Sequence, residues 1–206
     1  MKILDIIRND EDLQEKISLV CDFEVYDEYD DPYDYFDAEF TMDGKIFGGT
    51  DDDGWFVLLE DNTIGYITGG DIGRIAENMQ EFFSLIINCP SFEDFRLEDL
   101  YYEENKELLK KLCNGIAKKD KMYFSEVSDL DYDAVKQEIS KKLNIVLDND
   151  VSENTLRKFY KTATREPMYG FVEDDELVSG LIYKDELDSS YPSLEERVEM
   201  WISDEE

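Results

Sequence analysis

Two short apolar runs on either side of a turn constrain the fold of this chain most. Residues 55–60 (WFVLLE) lie between Gly54 and the Asp61-Asn62 turn, and residues 64–68 (IGYIT) follow after Thr63. β-Branched and aromatic runs bounded by turn residues are typical of a β-hairpin. Because the first run is apolar on both faces of a strand, we expect it to be buried inside a sheet.

Further strand patterns precede this hairpin. Cys21, Phe23 and Val25 alternate with acidic residues, as in a half-buried strand, and residues 45–47 form another short candidate. We therefore expect about three or four antiparallel strands between residues 22 and 68. Before them, the apolar spacing over residues 2–19 predicts a helix that the acidic triplet at residues 10–12 divides in two.

The stretch ITGGDIGRIAENMQEFFSLIINCP (residues 67–90) presents a choice between a ligand-binding loop and a structural turn. A phosphate-binding loop needs free N–H groups and usually a nearby Lys or Arg, but Asp71 would occupy the anion position itself. The same acid opposes an RNA-binding G-x-x-G loop. We therefore predict a turn at Gly69-Gly70 and a helix over residues 71–88, with Asp71 as its N-cap and Pro90 beyond its end. The predicted helix has one apolar face, made by Ile72, Ile75, Ala76, Met79, Phe82, Phe83 and Ile86.

Helical patterns dominate the rest of the chain. Amphipathic spacing predicts helices over residues 97–114, stopped by Gly115, and over 133–143 and 152–162, with Asp133 and Ser152 as caps. Ser193 and Glu196 form a capping-box pattern before a last helix. The predicted fold class is therefore α+β: an antiparallel sheet of about four to six strands with helices packed on one face, followed by a mostly helical extension. We assign residues 1–115 to the α+β domain and residues 116–206 to an acidic extension packed on the same domain.

Acidic residues dominate the composition and exclude several functions. The chain has 53 acids, 21 bases and no histidine, for a formal net charge of −32. Such a charge repels nucleic acid and anionic membranes and attracts basic partners. The lack of histidine excludes Ser–His, Cys–His and His–metal chemistry. No acidic loop has both the glycine and the glutamate of an EF-hand, and no pair of acids stands out as catalytic, so we expect no metal, no cofactor and no enzymatic activity.

Cysteine usage and hydropathy predict the compartment. Cys21, Cys89 and Cys113 lie far apart, without the spacing of a disulfide framework or a zinc site. The sequence lacks an apolar run of about 18 residues, and its first residues lack the apolar core of a signal peptide. We expect a cytoplasmic protein that does not bind membranes.

Tyrosines alternate with acids in the tract DFEVYDEYDDPYDYFDAEF (residues 22–40), and residues 22–61 contain fifteen acids but a single base, Lys45. Carboxylates and aromatic rings together bind lysine and arginine through ion pairs and cation–π contacts, and tyrosine is a frequent interface anchor. The alternative is a solvated acidic loop with a few core tyrosines. The predicted partner-binding residues are Tyr26, Tyr29, Asp30, Asp31, Tyr33, Tyr35, Asp51, Asp52, Asp53 and Trp55.

The segment from Gly44 to Asp94, a quarter of the chain, resembles the SUKH superfamily. The shared features are an acidic Asp-Gly before a hydrophobic strand, a hairpin, and GRIAENMQEFFSLI as a helix closed by a proline. Family members usually carry an Asn-Gly-Gly turn well before that strand, whereas this chain has Phe47-Gly48-Gly49 close to it. The best-known bacterial members are immunity proteins of polymorphic toxin systems, and a fungal branch regulates cell-wall synthesis. The resemblance implies an α+β domain that neutralises a toxin by binding it, without catalytic residues.

Together, the resemblance and the acidic tract predict an immunity protein that binds one cognate toxin domain. The acidic charge makes a basic toxin, such as a nuclease, the first expectation, without direct contact to nucleic acid. One alternative is a regulatory scaffold that binds a basic host protein, and another is an acidic nucleic-acid mimic. A mimic spreads its charge over most of its surface, whereas an immunity protein needs a single acidic patch.

Overall fold

A five-stranded antiparallel sheet is the largest β structure in the computed structural model, which describes residues 3–173, 176–184 and 192–203. The strands are β1 (Glu24–Asp30), β2 (Glu39–Phe40), β3 (Gly44–Gly49), β4 (Gly54–Leu59), β5 (Ile64–Thr68), β6 (Asp71–Ala76), β7 (Gly170–Glu173) and β8 (Glu176–Ser179). The larger sheet has the order β1-β3-β4-β5-β6, and a smaller antiparallel sheet has the order β2-β7-β8. The predicted antiparallel strands between residues 22 and 68 are confirmed.

The helices lie before and after the larger sheet in the sequence. They are α1 (Ile3–Arg8), α2 (Glu11–Cys21), α3 (Met79–Asn88), α4 (Lys106–Val127), α5 (Tyr132–Leu143), α6 (Thr155–Ala163) and α7 (Leu194–Ile202). Asp10 separates the first two, because its carboxylate accepts a hydrogen bond from the Leu13 N–H (3.1 Å) as the N-cap of α2. The α+β fold class and the helical C-terminal part are confirmed. Within the described ranges, no helix combines the length and the apolar character needed to cross a bilayer.

The two faces of the larger sheet have different coverings. On one face, Phe47 and Phe56 pack against Phe82 of α3, and Leu109 of α4 and Phe159 of α6 belong to the same core. The Phe56 and Phe82 ring centroids are 4.9 Å apart. On the other face, a smaller core contains Ile46, Val57, Leu59, Ile67 and Ile72 under Phe40 of β2 and Tyr169 before β7. The helices therefore lie on one face, as predicted, while the smaller sheet covers the second.

The predicted helix over residues 71–88 is wrong in its first part, because residues 71–76 form β6. Gly69 and Gly70 both have positive φ (45° and 118°), as a two-residue hairpin turn requires, so the chain folds back on β5. Helix α3 begins only at Met79, after Asn78 accepts a hydrogen bond from the Glu81 N–H (3.0 Å). Asp71, the predicted cap, instead forms an ion pair with Arg96 (2.8 Å).

Other helix boundaries also differ from the prediction. Residues 98–101 and 103–105 form short 3-10 turns, and α4 continues through Gly115 to Val127. Asp131, not Asp133, caps α5 by accepting from the Ala134 N–H (2.8 Å), and α6 begins at Thr155 rather than at Ser152. The capping box of Ser193 and Glu196 is confirmed. The division assigned at residue 115 falls inside α4, and the helix-side core takes residues from both sides of it.

Candidate functional site

The first part of the acidic tract forms a bulge at the edge of the larger sheet. Val25 pairs with Gly48 and Asp30 pairs with Ile46, so residues 26–29 of β1 lie opposite Phe47 alone. A bulge bends an edge strand and turns its side chains away from the regular pleat. Asp27 and Glu28 are exposed there, and the carbonyl of Tyr26 accepts a hydrogen bond from Arg8 Nε (2.8 Å).

Four of the predicted residues come together beside the second face of the sheet. The Tyr35 and Trp55 ring centroids are 6.3 Å apart, and the Tyr35 hydroxyl donates to Asp30 Oδ2 (2.9 Å). This hydrogen bond, together with the charge of Asp30, raises the pKa of Tyr35. Burial, followed by the charges of Asp30, Glu24 and Asp53, raises the pKa of Tyr26. We call Tyr26, Asp30, Tyr35 and Trp55 the acidic aromatic patch.

The patch rests on two phenylalanines that the prediction of binding residues did not include. Phe36 packs edge-on against Trp55, with 5.1 Å between ring centroids, and Phe40 stacks on Tyr169 at 6.2 Å. Tyr33 packs edge-on against Phe40 at 5.2 Å and is still 49% exposed. The alternation of apolar and acidic residues near Phe36, which is half-buried, and Phe40, which is buried, was the available signal for these supports. The buried aromatics of the tract are phenylalanines, whereas Tyr29, Tyr33 and Tyr35 are exposed and Tyr26 is half-buried.

Asp31 serves the local structure rather than the open surface. Its carboxylate caps the 3-10 turn over residues 32–34 by accepting from the Tyr33 N–H (3.1 Å), and it forms an ion pair with Lys45. The hydrogen bond from Lys45 lowers the pKa of Asp31. The one base of this acidic region is therefore already paired.

Asp51, Asp52 and Asp53 form the exposed tip of the β3–β4 hairpin. The Thr50 N–H donates to the Gly54 carbonyl (2.9 Å), and the Asp51 N–H donates to Asp22 Oδ1 (3.2 Å). Burial, and then the charges of Asp51 and Asp52, raise the pKa of Asp22. In the described part of the chain, no group of three or more acidic or cysteine side chains is arranged to hold a metal ion. The tip thus adds negative charge beside the start of β1.

Tyr29 is separated from the acidic aromatic patch. It lies next to Arg8 of α1, whose Cζ is 5.2 Å from the ring centroid, and it lines a shallow groove with Leu58. Leu58 packs against the helix-side core, whereas Trp55 packs against the core of the other face. The bulge in β1 separates Tyr29 from Tyr26, and a bulge is not visible in a sequence pattern.

Most acids of this region have no cationic partner. Among the described residues, no lysine or arginine forms an ion pair with Asp27, Glu28, Asp34, Asp37, Asp51, Asp52 or Asp53. Elsewhere bases and acids do pair: Lys142, for example, contacts Asp10 at 2.8 Å and Asp12 at 3.4 Å. The surface around β1 therefore carries an uncompensated negative charge next to exposed aromatic rings.

No family model matches this chain, and no curated protein or solved structure matches it either. Unpaired carboxylates attract cationic groups, and half-exposed rings supply flat apolar area that also accepts cations. The arrangement suits a basic protein surface.

A deeper cavity lies between α3, α6 and the loop before α6. It has a volume of about 340 Å³ and an apolar floor that includes Ile75, Leu85 and Phe159. Three acids line its wall, Glu81, Asp148 and Asp150. Asp148 already accepts hydrogen bonds from Asn154 (2.9 Å), Thr155 (2.8 Å) and the Asp150 N–H (3.0 Å), and Asp150 accepts one from the Ser152 hydroxyl (2.7 Å). Because groups of the chain itself already donate to these oxygens, the cavity offers a ligand fewer free carboxylates than the surface around β1 does.

Proposed function

We propose that this chain binds a basic protein through the surface around β1 and thereby neutralises a cognate toxin domain, as an immunity protein does. The observation that carries the proposal is the acidic aromatic patch, in which exposed Tyr35 lies against Trp55. Asp27, Glu28 and the hairpin tip surround it with carboxylates that have no cationic partner among the described residues. The resemblance of residues 44–94 to the SUKH superfamily supports the immunity role in particular.

Charge and aromatic rings have separate tasks in this proposal. Unpaired carboxylates steer a cationic partner and mainly raise the association rate, with a strong dependence on salt. Tyr35 and Trp55 bury apolar area on contact and mainly slow dissociation. Neutralisation then follows from covering the basic surface that a toxin such as a nuclease needs to bind its substrate.

The distribution of charge supports a single interface over a nucleic-acid mimic. Residues 62–165 carry fifteen of the 21 bases, and α4 alone carries six lysines. A mimic of a duplex needs negative charge along most of its surface. The excess of acids is instead concentrated in residues 22–61, with fifteen acids and one base, and in residues 166–206, with fourteen acids and two bases.

Co-expression with a basic toxin domain encoded by a gene beside that of this chain tests this proposal. The intact chain is expected to restore growth, and a variant with Asp27, Glu28, Asp51 and Asp52 changed to lysine is expected to restore it poorly. A matched control changes Glu103, Glu104, Glu126 and Asp129 to lysine, because these acids are also exposed but lie far along the chain from β1. Both variants should keep their fold, since exposed unpaired charges contribute little to stability.

Kinetics separate the two tasks. The charge-reversed variant should mainly lower the association rate, whereas Tyr35→Ala should mainly raise the dissociation rate, with a loss of about 1–3 kcal/mol in binding free energy. Equal protection by the two charge-reversed variants would contradict an interface around β1.

A further inference from the structure

A shallow groove next to Tyr29 is separate from the acidic aromatic patch. It has a volume of about 420 Å³, and Leu58 and Leu59 of β4 give it apolar walls. Leu58 is half-buried, and Tyr29 is 43% exposed. The apolar pattern does not reveal the groove, because Leu58 lies within a run that the pattern assigns to the interior.

Two carboxylates border the groove where β3 begins and β4 ends. Asp43 and Glu60 are both exposed, and the Glu60 N–H donates to the Asp43 carbonyl (2.9 Å), which holds the two residues side by side. In the described residues neither side chain has an ion-pair partner, and Lys45, the base that lines the groove, is paired with Asp31. The groove therefore joins an apolar surface to two unpaired negative charges.

An aromatic wall completes the site. Tyr29 already makes one cation–π contact within the chain, since Arg8 Cζ lies 5.2 Å from its ring centroid. Its ring is thus oriented so that part of it contacts a guanidinium while part remains open to solvent. An apolar surface, an aromatic ring and two carboxylates match the parts of a long cationic side chain, which has an apolar stem and a charged end.

From these features we infer that the Tyr29 groove binds an arginine side chain of the basic partner. The inference rests on the proposed function and adds a second contact with the partner, beside the one at the acidic aromatic patch. The stem packs on Leu58 and Tyr29, and the guanidinium reaches Asp43 and Glu60. Arginine fits better than lysine, because its planar group stacks on aromatic rings, donates to two carboxylates at once and is more weakly hydrated.

Titration of the full chain with short peptides tests the inference without the toxin. The probe is a Gly-Ser peptide with one central arginine, compared with the same peptide containing citrulline or lysine. The arginine peptide is expected to shift the amide NMR signals of Gly44, Leu58 and Glu60 in a saturable way. Citrulline keeps the shape but lacks the charge, so its peptide should leave these signals unchanged, and the lysine peptide should bind more weakly.

A charge-matched pair of variants localises the effect. Asp43→Asn with Glu60→Gln should weaken binding of the arginine peptide at least about tenfold, since hydrogen bonds to charged groups are the stronger class. Glu103→Gln with Glu104→Gln removes the same charge elsewhere and should change the affinity less than about twofold. Both variants alter exposed side chains, so unchanged thermal unfolding verifies that each is folded.

The outcomes distinguish this inference from the proposed function. Equal weakening by the two variants, or equal binding of the citrulline peptide, overturns the groove as an arginine site. Arginine-dependent shifts confined to Tyr26, Tyr35 and Trp55 also overturn it, while leaving the proposed interface intact. If the full chain binds no peptide but self-associates, and the Asp43 and Glu60 variant does not self-associate, the groove belongs to a second copy and the inference is overturned. Arginine binding in the groove without toxin neutralisation would support the site and refute only the toxin role.

Discussion

Arg74 is a buried cation on β6, with only 2% of its surface exposed. Its guanidinium donates to Thr63 Oγ1 (3.1 Å) and to the Pro167 carbonyl, and it forms an ion pair with Asp61 (3.2 Å). Burial alone would raise the pKa of Asp61, but hydrogen bonds from Thr63 and the charge of Arg74 outweigh it and lower the pKa. One side chain thus links the edge of the larger sheet to the segment that leads into β7.

Replacing Arg74 by methionine should lower the free energy of unfolding by about 3 kcal/mol, because the change removes the donor to the buried Thr63 hydroxyl and to the partly buried contacts with Asp61 and the Pro167 carbonyl. Chemical denaturation measures the loss. Arg165→Met is the matched control, since Arg165 also contacts Asp61 (3.3 Å) but is 37% exposed. It should cost less than about 1 kcal/mol. Similar losses for both variants would mean that the buried network around Arg74 contributes no more than a surface ion pair.

Only some residues of the candidate site could be placed from the sequence. Composition predicted an acidic aromatic surface, and Tyr26, Asp30, Tyr35 and Trp55 do lie together. The separation of Tyr29 depends on the bulge in β1, which adds residues to one strand without changing its apolar pattern. Burial of Arg74 was equally hidden, because a charged residue in an amphipathic stretch is ordinarily placed on the solvent face.

Helices α4 and α7 pack closely against each other at Gly115. A Cβ at Gly115 would lie 2.2 Å from Ile202 Cγ2 and 2.6 Å from Ile202 Cβ. The glycine therefore serves a close approach between two helices, although the sequence pattern predicted a helix end there. Glycine ends a helix when the chain must adopt positive φ, but inside a helix it can instead make room for a neighbour.

Gly115→Ala tests this contact, because it raises helix propensity but creates a clash with Ile202. In an isolated helix the change would stabilise by about 1 kcal/mol, but the clash with Ile202 should dominate and lower the stability by about 1–2 kcal/mol. Hydrogen exchange of the α7 amides should increase at the same time. In an Ile202→Ala background the same substitution should become neutral or stabilising, because the space it needs is open. Stabilisation of equal size in both backgrounds would show that α7 does not pack on Gly115.

Element boundaries were predictable where local chemistry decides them. The Ser193 capping box and the start of α2 after Asp10 agree with the prediction, because each start depends on one capping side chain. Residues 71–76 were predicted as helix because Ile72, Ile75 and Ala76 fit a helical face, yet they add to the larger sheet as its last strand. Pairing with β5 is a long-range gain that a single-sequence pattern does not contain.

At the scale of the whole molecule, charge works against compactness. A net charge of −32 raises the free energy of the folded state through self-repulsion. Partly buried acids add local penalties: Asp120 on α4 is half-buried next to Ser91, and burial raises its pKa despite the hydrogen bond from the Ser91 hydroxyl (2.6 Å). Asp10, Asp61 and Asp148 have lowered pKa values and so favour the folded state at neutral pH.

These shifts predict a stability maximum on the acidic side of neutrality. A carboxyl whose pKa is raised by folding binds its proton first in the folded state, so stability increases as the pH falls from 7 toward the unfolded value near about 4. Carboxyls with lowered pKa values reverse the trend below about pH 4, because the unfolded chain then binds more protons. The melting temperature should therefore rise between about pH 7 and pH 5, and added salt at pH 7 should raise it too by screening the repulsion.

Asp120→Asn keeps an acceptor for Ser91 and should raise the melting temperature at pH 7 more than the exposed control Glu103→Gln, with the difference shrinking at lower pH. A melting temperature that falls steadily from pH 7 to pH 5, unaffected by salt, would contradict this account of the charge.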